Sequence, residues 1–187
     1  MDKLKYILLP ILLLLVIFLI SFSGNFTDSI GVIKVDKKIE SKVFYDYDND
    51  IIFVFFGYVG CTNICTPRLN EIVPIYKELK KNSIDVKTIF INMKKFDDRS
   101  LPLQFAKAFH NEFTGLYMED NELYSLQSEF NVVNVPSMVE DGEYNHTSFL
   151  FLLKKTHNGM YTLRRIYTYV PYDKETIVKD IKANFSD

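Results

Sequence analysis

The chain is sparing with the side chains that most often carry chemistry. Among 187 residues it has two cysteines, Cys61 and Cys65, and three histidines, His110, His146 and His157. Two cysteines allow one intramolecular pairing, so no disulfide framework defines the fold. A domain of about 160 residues buries enough surface to fold without such a staple. A strong charge of either sign is also missing. The formal net charge is -2, which implies no basic face, and nucleic acid is not an expected partner. Internal repeats and low-complexity tracts are absent. The sequence shows no phosphate-binding loop, no carboxylate pair at catalytic spacing and no Ser-His-Asp arrangement. What remains is an ordinary globular balance, 48% hydrophobic and 25% charged.

One long apolar run stands apart from that balance. Residues 6–27 carry no charge, and Leu, Ile, Val and Phe fill most of 6–22. A helix of that length roughly crosses a ~30 Å hydrocarbon core. Pro10 lies near its start, where a spanning helix tolerates it. Lys3 and Lys5 precede it, so residues 1–5 are expected to stay cytoplasmic and the rest to be exported. A cleaved signal peptide is the rival reading. No A-x-A-like pair follows the run, and "SFSG" (21–24) imitates one only weakly, which favours an uncleaved anchor. The run holds no cysteine for lipid attachment. On the exported side of a bacterial inner membrane a disulfide can persist. The expected organisation is therefore a cytoplasmic end (1–5), a transmembrane anchor (6–22), a polar linker (23–30) and one domain (31–187).

Within that domain, "GVIKV" (31–35) and "KVFYDY" (42–47) read as strands, forming an amino-terminal hairpin. "IIFVFFGY" (51–58) is continuously apolar, as in a strand buried on both faces. Gly57 and Gly60 bracket a turn after it. "TPRLNEIVPIYKELKK" (66–81) reads as a helix with Thr66 as N-cap and Pro67 in its first turn. Leu69, Ile72, Val73, Tyr76 and Leu79 make its apolar stripe, and Pro74 predicts a kink. "DVKTIFINM" (85–93) is a second buried strand. Helices follow at 101–113 and 121–130, then a strand at 147–153, a turn at "HNG" (157–159), a strand at 161–169 and an amphipathic helix at 173–185. This order is that of a thioredoxin-like α/β domain, a central sheet flanked by helices.

Cys61 and Cys65 thus fall between the end of a buried strand and the start of a helix. Ligands commonly bind at that edge of an α/β sheet. Free N–H groups and the helix dipole there favour a thiolate. CxxxC is compatible with a stabilising disulfide, a redox pair or two arms of a metal site. Two thiolates are soft ligands that suit Cu(I) or Zn. A metal site wants a third ligand. His110 reads as a helix-face residue and His157 as an exposed turn residue. His146, in "EYNHTSFLFLL" just before a buried strand, sits at a sheet end from which it could reach the cysteine loop.

"FFGYVGCTNICTPRL" (55–69) resembles the copper-site loop of the Sco/SenC family, tethered thioredoxin-like proteins of cytochrome c oxidase assembly. "FDDRSLPLQFAKAFHNEFTGL" (96–116) is similar to the family's Asp-x-x-Arg-x-x-Pro loop, the following helix and its Phe-Thr-Gly-Leu end. "YNHTSFLFLL" (144–153) is similar to the segment that carries its copper-binding histidine. Order and spacing match from about Lys42 onward, and the anchor is family-like as well.

The resemblance implies that Cys61, Cys65 and His146 bind copper. The set suits three-coordinate Cu(I) and accepts Cu(II) with an added ligand. It implies delivery to, or maturation of, the dinuclear CuA site of cytochrome c oxidase subunit II or another copper-site protein. A copper donor or thiol reductant would be a further partner. Thr62 and Thr66 stand where the family commonly has Pro, and Asn145 where it usually has Asp. None of these removes a ligand, but Asn145 bears on control of His146 and on partner choice.

The alternative function is a periplasmic thiol–disulfide oxidoreductase with Cys61 attacking and Cys65 resolving. A peroxide-reducing enzyme is a third option. Neither needs His146, whereas the copper site does.

Overall fold

The computed structural model describes residues 31–136 and 144–185. Among these, no helix is long and apolar enough to cross a membrane. The anchor expected at 6–22 lies outside the described residues.

Six strands make one mixed sheet. They are β1 (Val32–Lys38), β2 (Ile51–Gly57), β3 (Val86–Asn92), β4 (Thr114–Leu116), β7 (Leu150–Lys155) and β8 (Tyr161–Tyr167), in spatial order β1-β8-β7-β2-β3-β4. Strands β2, β3 and β4 are parallel, while β7, β8 and β1 add antiparallel. Two short strands, β5 (Asn134–Pro136) and β6 (Tyr144–His146), form a separate antiparallel ribbon. The helices are α1 (Cys65–Lys81), α2 (Leu101–Phe109), α3 (Asp120–Phe130) and α4 (Lys174–Phe185).

The continuous apolar run of β2 follows from cover on both faces. Every residue from Ile51 to Gly57 is buried. Ile51, Phe53 and Phe55 pack with Leu69, Ile72, Ile75, Ile177 and Ile181 of α1 and α4. Ile52, Val54 and Phe56 point the other way, to Leu126 and Phe130 of α3 and to Phe44 and Phe151. The period of two assigns alternate residues to opposite cores, each large side chain adding roughly 1.5–3 kcal/mol of burial. Parallel pairing of β2 with β3 through α1 fixes the edge at which the cysteines emerge.

Several elements depart from the sequence reading. Residues 42–47 are not a strand: Lys42–Phe44 is a 3-10 turn whose Ser41 hydroxyl accepts from the Val43 N–H. It serves to insert Phe44, buried against Phe130 and Tyr161. β1 therefore forms no local hairpin and instead pairs with β8. Helix α2 stops at Phe109 rather than 113, leaving room for β4. Gly115 is essential to that crossing, because a Cβ there would lie 1.8 Å from the Pro102 carbonyl oxygen. Pro74 is accommodated inside α1.

Candidate metal centre

The site is built at the end of β2. Backbone pairing of Gly57 with Asn92 closes the parallel ladder, and the Met93 N–H donates to the Gly57 carbonyl at 2.7 Å. Buried Asn92 then accepts from the Val59 N–H at 3.2 Å, and its amide donates to the Lys94 carbonyl. The chain turns through Gly60, at φ +89°, where the left-handed backbone favours glycine. Cys61 follows, and its N–H donates back to the Tyr58 carbonyl.

Helix α1 starts one residue earlier than the sequence suggests, so Cys65 occupies its first turn. Thr66 is not the N-cap. The N-cap position is Ile64, which has no side chain to cap with. The Cys61 sulfur takes that role by accepting the Cys65 N–H at 3.2 Å, one of the N–H groups a helix start leaves unpaired. Thr66 donates both its N–H, at 3.1 Å, and its hydroxyl, at 3.0 Å, to the Cys61 carbonyl. A proline at position 66 would lack the first of these bonds.

His146 is the last residue of β6, opposite Asn134 in β5. The ribbon was not anticipated, and it is what places the histidine. Thr147 extends it, with its N–H donating to the Val133 carbonyl and its hydroxyl accepting from the Val133 N–H. The imidazole Nε2 lies 3.4 Å from Cys65 Sγ, and Nδ1 lies 3.1 Å from the Thr147 carbonyl. A carbonyl only accepts, so Nδ1 carries the proton and Nε2 presents its lone pair to the sulfurs. The Tyr58 ring meets the imidazole edge-on at 5.7 Å.

Both cysteines are reduced and buried, and His146 is partly exposed. The three donor atoms lie within 4.8 Å of one another. A thiolate and an imidazole held by one ion at about 2.3 and 2.0 Å sit about 3.5 Å apart at a tetrahedral angle. The observed 3.4 Å between Cys65 and His146 meets that requirement. Gly57 makes the approach possible, since a Cβ there would stand 2.7 Å from Cys65 Sγ.

The sulfurs are electrostatically unequal. A hydrogen bond from the Cys65 thiol, and then those from the backbone N–H groups, hold Cys61 well below the usual thiol range against the opposing effect of burial. The Cys61 thiolate, and then burial, push Cys65 well above it. The pair thus keeps one proton, on Cys65, and presents one ready thiolate.

The other histidines stay apart from this group. His110 ends α2 and packs on Tyr76 and Phe113, its Nδ1 accepting the Glu112 N–H. His157 is exposed in its turn. Among the described residues, Cys61, Cys65 and His146 are the one cluster of three His, Cys, Asp or Glu that could hold a metal ion. The sequence reading named all three. It missed the Thr147 carbonyl that sets the tautomer, for which side-chain identity offers no signal.

Comparison with known proteins places this geometry. The sequence profile of SCO1/SenC matches residues 17–185. A SCO2-like protein of Rickettsia felis is 26% identical over 140 residues, covering 72% of this chain and 66% of its own length. The chain thus spans just under two thirds of that curated relative. The apo Sco1 protein from Thermus thermophilus superposes with a TM-score of 0.60 at 25% identity, covering 84% of this chain and 94% of its own. Arabidopsis thaliana ScoI, solved with copper bound, superposes with a TM-score of 0.62 at 20% identity, covering 71% and 82%. The mixed α/β architecture is the thioredoxin-like one expected from the sequence.

Proposed function

Because this chain belongs to the SCO1/SenC family, we propose that it is a copper chaperone that carries Cu(I) on Cys61, Cys65 and His146. The carrying observation is the convergence of two thiol sulfurs and an imidazole nitrogen on one point. The donors are soft or borderline, as Cu(I) prefers, and a three-donor shell is one short of a closed structural zinc site. The copper-bound solved relative supports the same cargo.

Release follows from the open shell. An incoming thiolate of the recipient attaches to the copper before a resident cysteine leaves, so the ion is never bare and no electron moves. Thr62 and Asn63, exposed between the cysteines, leave that side open. The recipient we propose is the dinuclear CuA site of cytochrome c oxidase subunit II. Residues 6–22 would tether the chain as a single-pass protein of a bacterial inner membrane, with the domain in the periplasm. A copper donor and a thiol reductant would serve it there.

A second reading is favoured by the unequal sulfurs. An attacking thiolate beside a protonated partner is what dithiol exchange needs, and Cys61 and Cys65 supply it. The chain would then reduce the CuA cysteines rather than fill them. One experiment separates the two. The full chain, loaded with Cu(I), is mixed with a copper-free, reduced CuA domain, and the proteins are separated for metal analysis. Copper recovered on the recipient supports delivery. Copper retained here, with an oxidised CuA domain reduced in a parallel mixture, supports exchange.

A further inference from the structure

Cys65 and His146 stand on separate segments, α1 and the β5–β6 ribbon, and copper needs them held at a fixed distance. Tyr172, in the connection from β8 to α4, touches both supports. Its N–H donates to Glu71 Oε2 on α1 at 2.9 Å. Its hydroxyl donates to the Ser148 carbonyl, two residues past His146, at 2.7 Å. The Tyr172 side chain is buried, and the Arg68 guanidinium lies over its ring at 5.7 Å while pairing with Glu71 at 2.7 Å. On the far side Asp173 caps α4, its carboxylate accepting from the Glu175 N–H and the Thr176 hydroxyl. The tyrosine is thus anchored at both ends.

The Thr147–Val133 hydrogen bonds stay within the ribbon and its continuation. The Tyr172 hydroxyl ties that continuation to the body of the domain one residue after the carbonyl that orients His146. We propose that Tyr172 is a positioning residue for the copper site: a strut from α1 to Ser148 that sets His146 Nε2 against Cys65 Sγ. The inference rests on the copper-binding reading of that site.

The test uses the full chain, reduced, with Cu(I) titrated against a competing chelator. Tyr172→Phe keeps the ring and removes only the strut's hydroxyl. It should lower Cu(I) affinity about tenfold, the lower end for groups that orient a ligand. In a His146→Ala background the same change should add nothing, since there is no imidazole left to position. Glu71→Ala, which frees the other end, should show the same dependence on His146. In the copper-free protein, the imidazole nitrogen shifts of His146 should report one tautomer, protonated at Nδ1, and a mixture in Tyr172→Phe. An equal loss of affinity in both backgrounds, or unchanged affinity and unchanged nitrogen shifts, would overturn the proposal. If the unaltered chain holds no copper, the copper reading fails, and the nitrogen shifts still decide whether Tyr172 positions His146.

Discussion

Among the described residues, the Arg165–Asp180 pair and the Cys61–Cys65–His146 group are both polar clusters that join a sheet segment to a helix. In the first, Arg165 of β8 meets Asp180 of α4 at 3.1 Å, with both side chains almost wholly buried. Asp180 also accepts from the Tyr167 hydroxyl at 2.9 Å, and the Arg165 guanidinium lies over the Phe185 ring. Opposite charges cancel, and the donors and acceptors find partners. In the second, Cys61, Cys65 and His146 turn lone pairs toward one another with one thiol proton among them. The first cluster is complete and acts as a staple. The second turns more electron pairs than protons toward one point, and so is suited to act as a receptor for a cation. Burial of polar groups alone does not mark a functional site; an unbalanced donor set does.

That contrast can be tested by damaging each cluster separately. The largest effect on stability should come from the staple. Asp180→Ala leaves Arg165 buried and unpaired, and should cost about 3–5 kcal/mol in denaturant unfolding, with the Cu(I) affinity of the folded protein unchanged. Gly57→Ala should act on the receptor, because the added methyl meets Cys65 Sγ and the Phe90 ring. It should cost about 1–3 kcal/mol by overpacking, and, unlike Asp180→Ala, weaken copper binding in the folded protein.

The protonation of the pair gives a third, smaller effect. Copper binds the deprotonated sulfurs, Cys61 is already a thiolate, and Cys65 retains its proton. Binding releases that proton, so raising the pH favours binding. Cu(I) affinity should rise about tenfold per pH unit between pH 7 and 9, a slope of one proton rather than two, measured by chelator competition at each pH. The smallest effect belongs to a pair outside both clusters. Arg99 reaches Glu119 at 2.5 Å, but both are well exposed. Arg99→Ala should change unfolding by under about 0.5 kcal/mol and leave copper affinity unaltered.

The parts of the fold legible in the sequence are those where local pattern and tertiary burial agree. β2 declares itself by an unbroken apolar run, β3 by the apolar Ile89, Phe90 and Ile91 at its centre, and α1 by a stripe of which Leu69, Ile72, Tyr76 and Leu79 are indeed buried. The 42–47 segment shows where local pattern fails, because its one deeply buried residue, Phe44, is fixed by distant Phe130 and Tyr161 rather than by a strand partner. The ribbon of β5 and β6 is three residues a side, too short to leave a periodic signal. The donors were legible as residue types, and the resemblance supplied their grouping. Their geometry was not, because it depends on backbone groups: the Cys65 N–H on Cys61 and the Thr147 carbonyl at His146.

The most direct measurement is the copper stoichiometry and affinity of the reduced chain beside its His146→Ala variant, titrated anaerobically with Cu(I) against a competing chelator. A three-donor receptor predicts one tightly held copper per chain, lost or greatly weakened in the variant while the fold persists. Equal, weak binding by both proteins would contradict it.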